Sequence, residues 1–287
     1  MADPFATYRG TAYLDMVDAD QRVALEIWEQ LLRLGEPGLV DCEHFIDTQL
    51  YLCEATAEYI YTDYTPTTVD YQRGSRPKLE AVLDAMALWD RPEFDRFLWL
   101  ARFVRDLPNK HDWTPDPYAG GTEEELIEKG CVMCNEQARL MVVLCQIAGL
   151  PARYVGHHIG GHGVVEVYVD GHWGYHDIRG KFFFKPDGAL AGTWDIWRDP
   201  SIIRRQPEWV TREVHPRYLR DDPYAMTEKT FFHPKECTGI TNYFVADRDT
   251  FNYAHSPNEP DWQERTAGLR AKRNAVRRTF GMVHPEL

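Results

Sequence analysis

The chain has 287 residues, a formal charge of −13, 44% hydrophobic residues and 13% aromatic ones, enough to bury a core and too much for a disordered chain. The acidic balance opposes nucleic acid as a main partner, because the phosphate backbone would be repelled. No run approaches the roughly 18 apolar residues of a membrane span, and the opening MADPFATYRG lacks a basic stretch leading into an apolar one. No membrane span and no secretory leader are therefore expected, and six cysteines read as reduced thiols of a cytoplasmic protein.

In chain order, residues 20–34 place Val23, Ile27, Leu31 and Leu34 at helical spacing before Gly35. Residues 44–62 read as a second, aromatic-rich helix, and 65–77 (TPTTVDYQRGSRP) as a loop. Two more helices follow over 78–89 and 92–106, the latter stopping before Pro108, and 109–121 is a turn-rich connection. The section after Lys185 is rich in Pro, Trp and charge, with clean periodicity returning only in a helix over about 262–280. That helix carries Arg265, Arg270, Lys272, Arg273, Arg277 and Arg278, expected as a solvated basic face on an acidic body. Helices first and strands later favour an α+β fold over alternating βαβ units. The whole is read as a single domain, 1–287, with a helical lead-in (1–94), a core (95–190) and a C-terminal extension (191–287).

The informative stretch runs from Gly130 to Asp177 and holds three of the six cysteines and five of the eleven histidines. From Asn135 to Ala148, Ala138, Met141, Val142, Cys145 and Ala148 recur every three or four residues, as on a helix with one buried stripe. Gly149 caps it and Pro151 prevents continuation. Cys134 is thereby placed at the helix N-terminus, where unpaired N–H groups and the dipole favour a thiolate and could also hold an oxyanion. Glu136 is expected to face solvent or to strengthen the helix start.

Residues 152–158 (ARYVGHH) predict a short strand, with His157 and His158 read as loop residues that line the cleft entrance or are solvated. HGVVEVYVDGHWGYHDI (162–178) predicts a hairpin turning at Asp170-Gly171. Pairing Val169 with His172 sets Val165 against His176 and Val164 against Asp177. His162 then shares a face with Asp177 as a diagonal neighbour, roughly 7 Å away between Cα atoms, while His176 points to the other face. Trp173 and Tyr175 share the His162 face and are placed either to shield the His–Asp pair or simply to pack. Nucleophile, base and orienter are thus Cys134, His162 and Asp177.

These residues resemble the transglutaminase-like superfamily, relatives of the papain fold. The resemblance rests on Cys134 opening a helix, Ala138 four residues on, the Gly149-to-Arg153 exit (GLPAR), His162 on a strand and Asp177 on the next. It implies a catalytic helix packed on an antiparallel sheet and a Cys134–His162–Asp177 triad. It also implies an extra oxyanion donor upstream of the cysteine, for which Trp113 is a candidate beside its reading as a loop packing residue. Asn135 and Trp173 are further oxyanion or cleft candidates.

Other readings remain open at this point. Cys131-x-x-Cys134 could be a redox dithiol, although no βαβ-type strand precedes it. It could be half of a zinc site completed by His157, His158 or His162, although no second such pair follows. Cys42, Cys53 and Cys237 read as structural thiols. The expected function is cysteine-dependent acyl transfer on amide bonds, by hydrolysis or with an amine as acceptor. A non-catalytic scaffold with the same fold is the alternative of another class. No cofactor and no metal are expected, and the partner is a peptide, protein or small amide.

Overall fold

The computed structural model describes residues 49–52, 54, 56–107, 123–131, 134–157, 162–179, 181–212, 224–225, 227–228 and 238–242. The helices expected over 20–34 and 262–280, together with Trp113, His158, Cys42, Cys53 and Cys237, lie outside them. Among the described residues the chain forms β1 (Gln49–Tyr51), α1 (Ala57–Tyr59, running into a wider π turn at Ile60–Tyr64), α2 (Pro77–Met86) and α3 (Glu93–Asp106). Then come α4 (Glu123–Lys129), α5 (Cys134–Ile147), β2 (Ala152–His157), β3 (His162–Val169), β4 (His172–Asp177) and β5 (Lys181–Phe182). Two short helices, α6 (Thr193–Arg198) and α7 (Glu208–Arg212), precede β6 (Thr238–Thr241).

The strands make one antiparallel sheet in the order β1-β6-β2-β3-β4-β5. The architecture is the α+β arrangement expected, with α5 lying on the sheet. Among the elements that were not expected are two strands. A strand stands inside the stretch read as a helix over 44–62, and a second one, β6, comes from the section that showed no periodicity. A three- or four-residue strand is too short to show a period, and these two find their partners only in the sheet: Leu50 pairs with Ile240, which also pairs with Val155. No described helix is long and apolar enough to cross a membrane.

Alternation along the strands divides the core in two. Val165, Val167 and Val169 face α5 and pack with Leu140, Met141, Leu144, Phe97, Leu100 and Leu83. Val164, Tyr175, Val155 and Ile240 face the other way, against Ile60, Tyr64, Ile196 and Ile203. The expected single stripe on α5 is overtaken by its setting. Packed between the sheet and the other helices, it is buried at every position from Glu136 to Ile147. Glu136 is therefore not on the solvent face, and Arg139 donates to Glu123 at 2.8 Å, a carboxylate that also accepts from Arg76 at 3.1 Å.

The predicted punctuation stands. Gly149 has φ +77°, and Leu150 donates its N–H to the Cys145 carbonyl at 2.8 Å, a Schellman closure that glycine makes without Cβ strain. Asp170 and Gly171 both have positive φ, 51° and 83°, the two-residue turn whose twist suits a tight hairpin. The consequence is the register: Val169 opposes His172 and Val165 opposes His176.

Candidate active site

Cys134 is the first residue of α5, so its thiol lies beside the helix N–H groups that have no partner one turn back. The Gly163 N–H donates to Cys134 Sγ at 3.4 Å. Gly163 is fixed as glycine by its neighbour. A Cβ there would overlap the Tyr154 hydroxyl and come within 2.9 Å of its ring. His162 opens β3 immediately before it.

The hairpin turns His162 toward Asp177, the last residue of β4. His162 Nε2 stands 3.2 Å from Asp177 Oδ2. The contact is an ion pair when the imidazole is protonated. Both side chains are buried. Asp177 Oδ1 accepts from the Arg179 N–H at 3.1 Å, and Lys181 Nζ is 3.9 Å from Oδ2.

Electrostatics follow from this packing. Burial by itself raises the Cys134 thiol, yet hydrogen bonding to His162 and its charge, the Gly163 N–H and the Arg179 charge bring it below an ordinary cysteine. Burial by itself lowers His162, but the Asp177 charge outweighs it, and with the thiol's contribution the imidazole rises to about 10. Asp177 is resisted by burial but held far below the usual carboxylate range by His162, Lys181 and Arg179. The three groups thus favour a thiolate, an imidazolium and a carboxylate in a row. By contrast, burial pushes the Cys131 and Cys145 thiols up, Glu136 adding to the rise at Cys131.

Not every candidate is brought to this point. Asn135 is half-buried in the first turn of α5, next to Cys134. Trp173 is on the His162 face but four residues from Asp177, roughly 13 Å along the strand. There it lies under the Arg153 guanidinium, 4.1 Å from ring centroid to carbon, and against Tyr168. Arg153 itself belongs to a buried network with Glu166 (2.6 Å), the Ile60 carbonyl (2.6 Å) and Thr65. His176 points to the α5 side, with its ring edge-on to Phe97 at 5.2 Å, as the register requires. No group of three or more His, Cys, Asp or Glu side chains among the described residues is arranged to hold a metal ion.

His157 departs from its expected place. It is a strand residue, 1% exposed, paired directly with His162, and its Nδ1 is 3.1 Å from Thr238 Oγ1. Its ring is 6.1 Å from that of Tyr175. The sequence could not show this, because the cover over His157 comes from β6. Arg179 and Lys181 were also missed, although Arg179-Gly180 between Asp177 and Lys181 is a turn signal that could have paired those two residues.

Residues 81–178 match the family model described as the transglutaminase-like superfamily, and this stretch, from within α2 to the end of β4, is a transglutaminase-like domain. Members of that superfamily are generally cysteine enzymes, and some are non-catalytic. No curated protein and no solved structure matches the chain.

Proposed function

We propose, from the transglutaminase-like domain as premise, that the protein is a cysteine-dependent acyl-transfer enzyme that hydrolyses amide bonds through a thioester at Cys134. The observation that carries the reading is the low thiol of Cys134 beside a His162 imidazole that is itself raised by Asp177. The thiolate attacks the acyl carbon, the S–C bond forms, and the carbonyl electrons move onto oxygen. Backbone N–H groups at the start of α5 would serve as donors for that oxyanion. As the C–N bond breaks, the His162 imidazolium gives its proton to the departing amine, leaving a thioester and a neutral imidazole. His162 then takes a proton from water as the water attacks, the C–S bond breaks, and thiolate and imidazolium return.

Asp177 keeps the imidazole oriented and stabilises its charged form without taking the proton. A peptide, protein or small amide would supply the acyl group. The test is a fluorogenic peptide-amide panel with and without an added primary amine, following product by mass spectrometry. Release of the acid, abolished by Cys134→Ala, supports hydrolysis. Amine adducts in place of acid would make the protein a transglutaminase. No turnover together with an ordinary Cys134 thiol would point to a non-catalytic member.

A further inference from the structure

Lys181 is 3% exposed and is the direct cross-strand partner of Asp177. Its Nζ lies 3.9 Å from Asp177 Oδ2, the same oxygen that faces His162 Nε2 at 3.2 Å. A lysine is seldom buried unless its charge is matched. We infer that Lys181 is a positioning residue of this site, a buried counter-charge that holds Asp177 as a carboxylate and limits how tightly His162 keeps its proton. The inference rests on the triad reading above.

Charge balance gives the reason. A thiolate, an imidazolium and a carboxylate sum to −1, and burying an unmatched charge is costly. With the Lys181 ammonium added the cluster sums to zero, and it stays at zero when the proton moves from imidazolium to thiolate. The second consequence is kinetic. A carboxylate facing His162 alone makes the imidazolium a reluctant acid, and the departing amine needs its proton. A cation sharing the same carboxylate oxygen opposes that.

The other groups facing the cluster have fixed places. Arg179, in the turn after β4, gives its N–H to Asp177 Oδ1 and adds positive charge toward both Asp177 and Cys134. His157 of β2 faces His162 and is held neutral by burial, down to about 3. Tyr175 of β4 packs on His157. Of these only Lys181 brings a buried side-chain cation to the oxygen that His162 uses.

The experiment measures two midpoints in the full chain: the pH at which iodoacetamide alkylation of Cys134 rises, located by mass spectrometry, and the pH at which the His162 ring titrates, by NMR. Lys181→Met keeps the length of the stem and removes the charge. Removing a positive charge must raise both midpoints, the His162 one more, by about one pH unit or above for charges some 7 Å apart. Lys181→Arg should leave both near the native values. Should the Met variant fail to fold, Lys181→Gln removes the same charge and is read in the same way. Unmoved midpoints in a folded charge-removed variant, whatever its melting temperature, overturn the inference and leave Lys181 a packing residue. A native protein whose Cys134 ionises like a free cysteine overturns the triad reading instead, so the two failures are distinguishable.

Discussion

His157 and His162 are direct cross-strand partners, both buried, yet they are driven in opposite directions: His162 up to about 10 and His157 down to about 3. Burial acts the same way on both. The difference is the Asp177 carboxylate, which His162 contacts at 3.2 Å, with the Cys134 thiol adding to the rise; His157 is turned to Thr238 and is pushed further down by the His162 charge. One imidazole of the pair holds the proton and the other stays neutral.

Cys134 should alkylate first. Its thiol is held below the ordinary cysteine value and is partly exposed, whereas Cys131 and Cys145 are buried with their thiols pushed up. Timed iodoacetamide labelling read by peptide mass spectrometry checks this. Earlier labelling of Cys131 would remove Cys134 as the nucleophile.

Asp177→Asn should keep the fold and reduce turnover by ~10²–10⁴-fold, by analogy with serine triads. The neutral amide cannot sustain an imidazolium, so the His162 titration should fall from about 10 toward its ordinary range. His162→Ala should slow both turnover and Cys134 alkylation. Wild-type labelling rates in His162→Ala would show that another group activates the thiol.

Gly163→Ala should damage the site although it adds only a methyl. The new Cβ overlaps the Tyr154 hydroxyl, and any shift of β3 moves the N–H that holds Cys134 Sγ. Alkylation of Cys134 should slow. Adding Tyr154→Phe, which deletes the closest atom, should restore part of the rate. Absence of any effect in the single variant would mean that the strand yields at no cost to the thiol.

His176→Ala should separate stability from chemistry. The ring is buried against Phe97 and Phe182, so its loss should cost about 2–4 kcal/mol by cavity formation. Activity per folded molecule should stay near native, because the ring is on the face away from His162. A large fall in kcat at unchanged folded fraction would reassign the base.

Acid should unfold the protein partly through His157 and His176. Both are held below the ordinary value of 6.5, at about 3 and about 4. Below pH 6.5 the unfolded chain binds protons that the folded chain refuses, so stability falls as pH drops from 6.5 to about 4. Each contributes on the order of 3 kcal/mol across that window. His162 has the opposite sign: its contribution is complete below 6.5 and fades as pH rises through about 10. Chemical denaturation from pH 4 to 7 checks the acid side, and His176→Phe should flatten the slope. An unchanged slope would mean that carboxylates alone set the acid limb.

Local chemistry was legible in the sequence because it is written in short-range rules. Gly149 and Pro151 end α5, Asp170-Gly171 sets the hairpin, and a period of two then carries His162 and Asp177 to one face and His176 to the other. Cys134 at the helix start follows from the same spacing. What encloses these residues was decided only by the tertiary fold. Strand β6 arrives from about 80 residues beyond β2 and covers His157, and the helices around α5 bury Glu136 on a face that its sequence makes polar. The Arg179-Gly180 turn signal could pair Lys181 with Asp177, but the burial of Lys181 was not legible, since β5 is two residues long and has no period. Burial and long-range pairing depend on which distant segment supplies the other surface, and that information is spread over the whole chain.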